Sequence, residues 1–301
     1  MYPRLTNAAG EGSKFVEEVE EIITCNPYRA AVVGSITLER REGNPEPEGK
    51  SNFVYIENIK TSINSIGLKN PGLNYYKNNL PNLLKNHPES FLILSIAYAP
   101  ERDSNLAPEL QFEILSRELF NIDKERIMVE VNLSCPSIDE DKILYEDVEL
   151  TGKILEKVEK QVGEKRYTVK LGYMLPGHLN KTISLISSYN PFGIVAINSI
   201  PGMVVEKETS YFGSKYGGIS GKTIQPFALY TVSKIRERLN TENRKDISVI
   251  GCGGISTPED CFKFLKVGAE YLQVGTEFMA KRNKELFTRL LIELCSEGCI
   301  I

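Results

Sequence analysis

Residues 126–137 read RIMVEVNLSCPS. Ile127, Met128, Val129 and Val131 form a short apolar strand that ends in the amide of Asn132, and a Ser-Cys-Pro loop follows. Pro136 stiffens the backbone beside Cys135, which suits a thiol that must be held in place. A free cysteine is also commonly a small buried hydrophobe, so this segment alone leaves both readings open. Its surroundings decide the fold. From residue 90 onward, apolar runs at 91–97, 127–132, 167–171, 193–198, 247–252 and 270–274 alternate with helical patterns. Those patterns lie near 108–120, 147–162, 178–188, 225–239, 257–267 and 283–296. Near-continuous apolar strands bounded by helices mark a parallel sheet covered on its outer face. Upstream, 4–8 reads as a weak first strand, 14–24 as a helix, 29–33 as a strand and 73–86 as a helix. Eight β/α units in 301 residues predict a closed (β/α)8 TIM barrel, with residues 1–301 as a single domain.

Composition narrows the function. The chain is 41% hydrophobic and 25% charged, with a net charge of −4. It has no basic footprint, which argues against a nucleic-acid partner. No apolar run reaches the roughly 20 residues that span a bilayer, and the acidic N-terminus lacks the apolar core of a signal peptide. The six cysteines (Cys25, Cys135, Cys252, Cys261, Cys295 and Cys299) form no CxxC pair, and His87 and His178 are the only histidines. That pattern fits a reducing cytoplasm and no metal site.

Two segments exceed a minimal barrel. Residues 36–70 are a long polar excursion after the second strand, and 199–224 carry YGGISG after the sixth. Both leave the C-terminal ends of strands, where active sites of this fold lie, and long excursions there serve as lids or binding loops. The strand ends themselves carry chemistry. Strand one ends in Asn7-Ala8-Ala9-Gly10, strand two in Gly34-Ser35, strand four in Asn132 and strand six in Asn198-Ser199. Strands seven and eight end in Gly251-Cys252-Gly253-Gly254 and Gly275-Thr276. Glycine loops in those last two places suit a phosphate, because their backbone N–H groups admit close approach. Thr257 and Pro258 add the start of a helix, whose N-terminus favours an anion. Lys170 sits inside the apolar run VKL, where an unpaired charge is costly. It either snorkels to solvent or faces an electron-rich group. Asn64, Asn132 and Asn198 offer donors and acceptors suited to a planar heterocycle.

TLERREGNPEP (37–47), INSIGLKNPGLNYY (63–76), VNLSCPS (131–137), VKL (169–171), INS (197–199), GCGGI (251–255) and QVGT (273–276) resemble the dihydroorotate dehydrogenase family, most closely its class 1A branch. The likeness runs in order along nearly the whole chain. It implies a homodimeric barrel with bound FMN that oxidises dihydroorotate to orotate in pyrimidine synthesis and passes electrons to fumarate. By the same resemblance, Cys135 is the base that takes the substrate C5 proton while hydride leaves C6. Lys170 lies beside flavin N1 and O2. Asn64, Asn132, Ser137, Asn198 and Ser199 contact substrate, with the backbone of Gly67 and Leu68 on its carboxylate. Ala9, Gly10, Ser35, Gly221, Gly253, Gly254, Gly275 and Thr276 hold FMN.

Three positions depart from the family pattern. Gly34 stands where the family has a lysine near flavin and substrate, Ser137 where it has an amide, and Glu48 where it has an arginine. Losing a charge-assisted hydrogen bond costs about 1.5–3 kcal/mol. A related FMN oxidoreductase acting on another small substrate is therefore one alternative, and a non-catalytic FMN-binding paralogue the other. A tRNA-reducing flavoenzyme is disfavoured by the acidic balance.

Overall fold

The computed structural model describes residues 2–46, 49–100, 106–134, 144–206, 209–212 and 216–296. Eight parallel strands form the central sheet: β1 (Leu5–Asn7), β2 (Ala30–Ile36), β3 (Phe91–Ala97), β4 (Ile127–Asn132), β5 (Tyr167–Leu171), β6 (Gly193–Ala196), β7 (Ser248–Cys252) and β8 (Tyr271–Val274). Their spatial order is β1-β8-β7-β6-β5-β4-β3-β2. The sheet curls until β1 lies against β2. There the side chain of Asn7 closes the seam, accepting from Val32 N at 2.9 Å and donating to Val32 O at 2.7 Å. An amide standing in for a ladder pair satisfies backbone groups that would otherwise be buried and unpaired. Asn7 is therefore part of the barrel wall. The eight expected strands are all present, and the expected helices lie between or after them, as at Pro108–Phe120, Val148–Val162 and Gln225–Thr241.

Side-chain alternation along each strand divides the interior in two. Leu92, Leu94 and Ile96 of β3, and Ile127, Val129 and Val131 of β4, face the helices in the main core. The other parity points into the barrel. Val32, Ile93, Met128, Val195 and Ile250 form a small apolar layer there with Tyr2. Above that layer the inward residues are polar: Ser95, Glu130, Thr168, Lys170 and Gln273 are each 2% exposed or less. Five polar groups buried inside a packed barrel are expensive unless they pair, and the uppermost of them, Lys170, reaches the floor of the site.

The two excursions meet each other. Phe53–Ile56, Thr61–Asn64, Gly217–Gly221 and Ile200–Gly202 form a four-stranded antiparallel sheet in that order. Asn64 pairs with Gly218 and Ile219 with Ile200. What reads in sequence as two separate polar loops is one sheet set over the C-terminal ends of the barrel strands. Among the described residues, no helix is long and apolar enough to cross a membrane, and no group of three or more His, Cys, Asp or Glu is placed to hold a metal ion.

Candidate active site

A solvent-open cleft lies between the barrel mouth and the four-stranded sheet and encloses about 1000 Å³, open solvent included. The residues expected from sequence converge on it. Asn132, Lys170, Asn198 and Ser199 line one side; Ala9, Gly10, Gly34 and Ser35 come from the loops after β1 and at the end of β2. Asn64 and Leu68 enter from the first excursion and Gly221 from the second. Gly253, Gly254, Gly275 and Thr276 line the cleft as well. Gly67 stands one residue back, with Ile66 and Leu68 on the wall. Gly67 and Leu68 have φ of 67° and 55°, consecutive left-handed residues that form a concave backbone turn. Cys135, Ser137 and Glu48 lie outside the described residues, as does Cys299.

The amides form a connected net. Asn132 Nδ2 donates to Ser35 Oγ at 2.9 Å, and the Ser35 and Ser95 hydroxyls lie 3.1 Å apart. Asn198 Nδ2 donates to Asn132 Oδ1 at 3.3 Å and to Ser134 O at 3.1 Å. Asn64 Nδ2 donates to Gly218 O at 3.3 Å. These contacts fix each side chain while leaving spare lone pairs and N–H groups for a bound ring.

Below them, Lys170 does not snorkel. It is 2% exposed, and its Nζ lies 3.7 Å from Glu130 Oε1. Glu130 Oε2 accepts from Gln273 Nε2 at 2.9 Å, and Gln273 Nε2 also reaches Tyr2 Oη at 3.3 Å. Cys252 also lines the cleft and is largely buried; burial pushes its thiol pKa up, partly opposed by the nearby Lys170 charge. Sequence reading missed Glu130 and Gln273, although the argument that singles out Lys170 applies equally to a glutamate inside IMVEVN.

The glycine loops fit a phosphate with one correction. The start of the helix Pro258–Lys266 is already filled by its own Asp260, which accepts from Ser256 N at 3.0 Å and Thr257 N at 2.9 Å. Burial works to raise the Asp260 pKa, but donation from Lys222, Gln225 and Ser256 outweighs it and holds the carboxyl well below its usual range. That helix end is thus self-capped, and neither Ser256 nor Thr257 lines the cleft. Gly253, Gly254 and Gly275 do. A Cβ on Gly254 would meet Gln225 Cβ at 2.7 Å and Gly221 O at 2.9 Å, whereas one on Gly275 would meet nothing closer than Ala8 Cβ at 3.6 Å. Gly254 is glycine for the protein's own packing, while Gly275 leaves open space on the cleft side. Glycine loops, a buried cation and a set of amides lining one cleft fit a flavin nucleotide, the glycines suiting its phosphate and the amides its ring.

Fold and site together define a (β/α)8 barrel with a ligand cleft built on the C-terminal strand ends and roofed by an inserted sheet. The family model described as Dihydroorotate dehydrogenase matches residues 3–297, and the chain belongs to that family. The Dihydroorotate dehydrogenase (fumarate) of Saccharomyces cerevisiae is 33% identical over 298 residues, covering 96% of this chain and 87% of that protein. The Saccharomyces mikatae protein of the same name is 34% identical with the same coverage. The solved structure of the Eimeria tenella enzyme in complex with ferulenol superposes with a TM-score of 0.78 over 98% of this chain and 82% of that one. At 17% identity it bears on the fold alone.

Proposed function

We propose that this chain is an FMN-dependent dihydroorotate dehydrogenase that converts dihydroorotate to orotate and delivers the electrons to fumarate. The observation that carries the reading is the single net of Ser35, Asn132 and Asn198 beside buried Lys170, in one cleft with the glycine loops. In the reaction the substrate loses a proton from C5 and a hydride from C6. FMN, when bound, supplies the hydride acceptor. Gly253, Gly254, Gly275 and Thr276 would hold its phosphate. Lys170 brings a fixed positive charge to the cleft floor, where a low dielectric makes it effective against negative charge that develops during reduction. Asn64, Asn132, Asn198 and Ser199 orient the substrate ring through side-chain donors and acceptors, while the Gly67-Leu68 backbone donates to its carboxylate. The roof sheet covers the cleft, with Ser62 and Ser220 lining it.

Cys135 is the base in this reading. It follows the strand that places Asn132 and would accept the C5 proton as a thiolate. A thiol with an ordinary pKa near 8.5 makes that step faster as pH rises toward about 9. The same reading makes the protein a one-domain chain, a homodimer and cytoplasmic. Its test is Cys135→Ala, scored by the rate at which dihydroorotate reduces the flavin. The variant should keep its flavin and slow by about 10²–10⁴-fold, the usual cost of removing a general base. A wild-type rate would remove Cys135 from the chemistry.

A further inference from the structure

We propose that Lys14 is the cation that receives the carboxylate of the substrate, with Glu11 as its exchangeable counter-ion; this rests on the dihydroorotate reading above. Lys14 comes from the loop after β1, yet it is 5% exposed and lines the cleft beside Gly34 and Ser35. Lysines are rarely buried without a partner. This one is held in place by its neighbours. Gly34 N donates to Ser13 O at 2.8 Å, Tyr76 Oη donates to Lys14 O at 2.7 Å, and Lys14 N donates to Glu18 Oε2 at 2.8 Å. The loop is thereby pinned against the end of β2 where Gly34 contributes no side chain.

The charged residues lining the cleft, among those described, are Glu11, Lys14, Lys69 and Lys170. Lys69 is exposed. Lys170 faces the fully buried Glu130, which has no route to solvent. Lys14 is different. Its Nζ lies 2.6 Å from Glu11 Oε2, and the Glu11 side chain is 40% exposed against 6% for Lys14. An entering carboxylate can take the place of the Glu11 carboxylate while Glu11 turns to water, so Lys14 is paired before and after. No unpaired buried charge is created, which is the costly alternative. The arrangement favours a ring bearing one carboxylate over the same ring without it. It also supplies, from a neighbouring loop, the positive charge that Gly34 lacks.

The test is equilibrium binding of orotate and of uracil, the same ring without the carboxylate, to the flavin-loaded protein. Lys14→Met should weaken orotate by about 10–150-fold, the range for a lost charge-assisted hydrogen bond, and leave uracil unchanged. Lys14→Arg should recover part of the orotate affinity. Glu11→Gln should tighten orotate, because a competing carboxylate is gone. A lysine with a merely structural role would shift both ligands together. If wild-type protein binds orotate and Lys14→Met binds it equally well, Lys14 is not the receptor. If Lys14→Met does not fold, Glu11→Gln decides, and unchanged or weaker orotate binding overturns the inference. Wild-type protein that binds no orotate would instead overturn the dihydroorotate reading itself.

Discussion

Glu130 Oε1 and Lys170 Nζ lie 3.7 Å apart inside the barrel, on adjacent strands, with side chains 0% and 3% exposed. The pair is too long for a hydrogen bond and too buried to be screened, so its worth is charge compensation. Glu130 is fixed from its other oxygen by Gln273 at 2.9 Å, so the carboxylate cannot turn away from the lysine. It thereby allows a cation to exist at the cleft floor.

Removing that compensation should show in stability first. Glu130→Gln leaves Lys170 buried and unpaired, an error that costs about 3–5 kcal/mol. Thermal melting should fall by several degrees, and Glu130→Gln combined with Lys170→Met should recover much of the loss. The double variant would still reduce its flavin poorly. A single variant that melts with the wild type would mean the two charges do not depend on each other.

Gly275 and Gly254 separate a ligand requirement from a packing requirement. Gly254→Ala forces a Cβ against the Gly221 carbonyl at a φ of 76° and should lower both stability and flavin content. Gly275→Ala has room for its Cβ, but its backbone at φ −97°, ψ −95° lies outside the usual regions of an L residue, so in flavin-free form it should melt below the wild type yet above Gly254→Ala. If the backbone there must approach a phosphate, its affinity for FMN should also drop about tenfold or more, the loss of one charge-assisted contact. Unchanged affinity would move the phosphate elsewhere in the cleft.

Restoring a lysine at position 34 should fail. A Cβ on Gly34 would lie 2.6 Å from Ser95 O and 2.8 Å from Ile36 N, both backbone atoms, at a φ of 117°. Strain of this kind costs on the order of 1–3 kcal/mol, and Lys14 already occupies the neighbouring wall. Gly34→Lys should therefore melt lower and gain nothing in dihydroorotate-dependent flavin reduction. A stable variant with a tenfold gain would show that the site lacks a cation after all.

Asp260 sets an acid limb of stability. Its folded pKa is held below the unfolded value near 3.9, because Lys222, Gln225 and Ser256 donate to it against the opposing effect of burial. A depressed carboxylate stabilises the fold above its unfolded pKa, and that contribution drains away as pH falls toward the folded one. Asp260→Asn should be less stable than wild type at pH 7, with the gap narrowing below about pH 4. A gap independent of pH would place the effect in packing alone.

The barrel was legible because its strands carry a strict division of labour. Apolar residues at one parity meet the helices, and the break in that pattern at Asn132, Lys170 and Asn198 marks the mouth. Glu130 was equally visible but passes unnoticed beside the more conspicuous amide two residues on. The roof sheet was not legible, since its strands are three to five residues long and its two halves join across more than 150 positions of sequence. Lys14 could not be found from sequence. It sits in a loop among charged residues, and only contacts from Tyr76 and Gly34 turn it into the cleft. Thr257 and Pro258 signalled a helix start correctly, but the Asp260 that fills it is three residues further along and reads as ordinary first-turn acid.

The most direct test is an anaerobic titration of the purified protein with dihydroorotate, followed by fumarate, while flavin absorbance is recorded. About one FMN per chain should be present, dihydroorotate should bleach it and form orotate, and fumarate should restore the colour. Protein that neither carries nor takes up FMN, or a bound flavin that dihydroorotate leaves oxidised, would contradict the account.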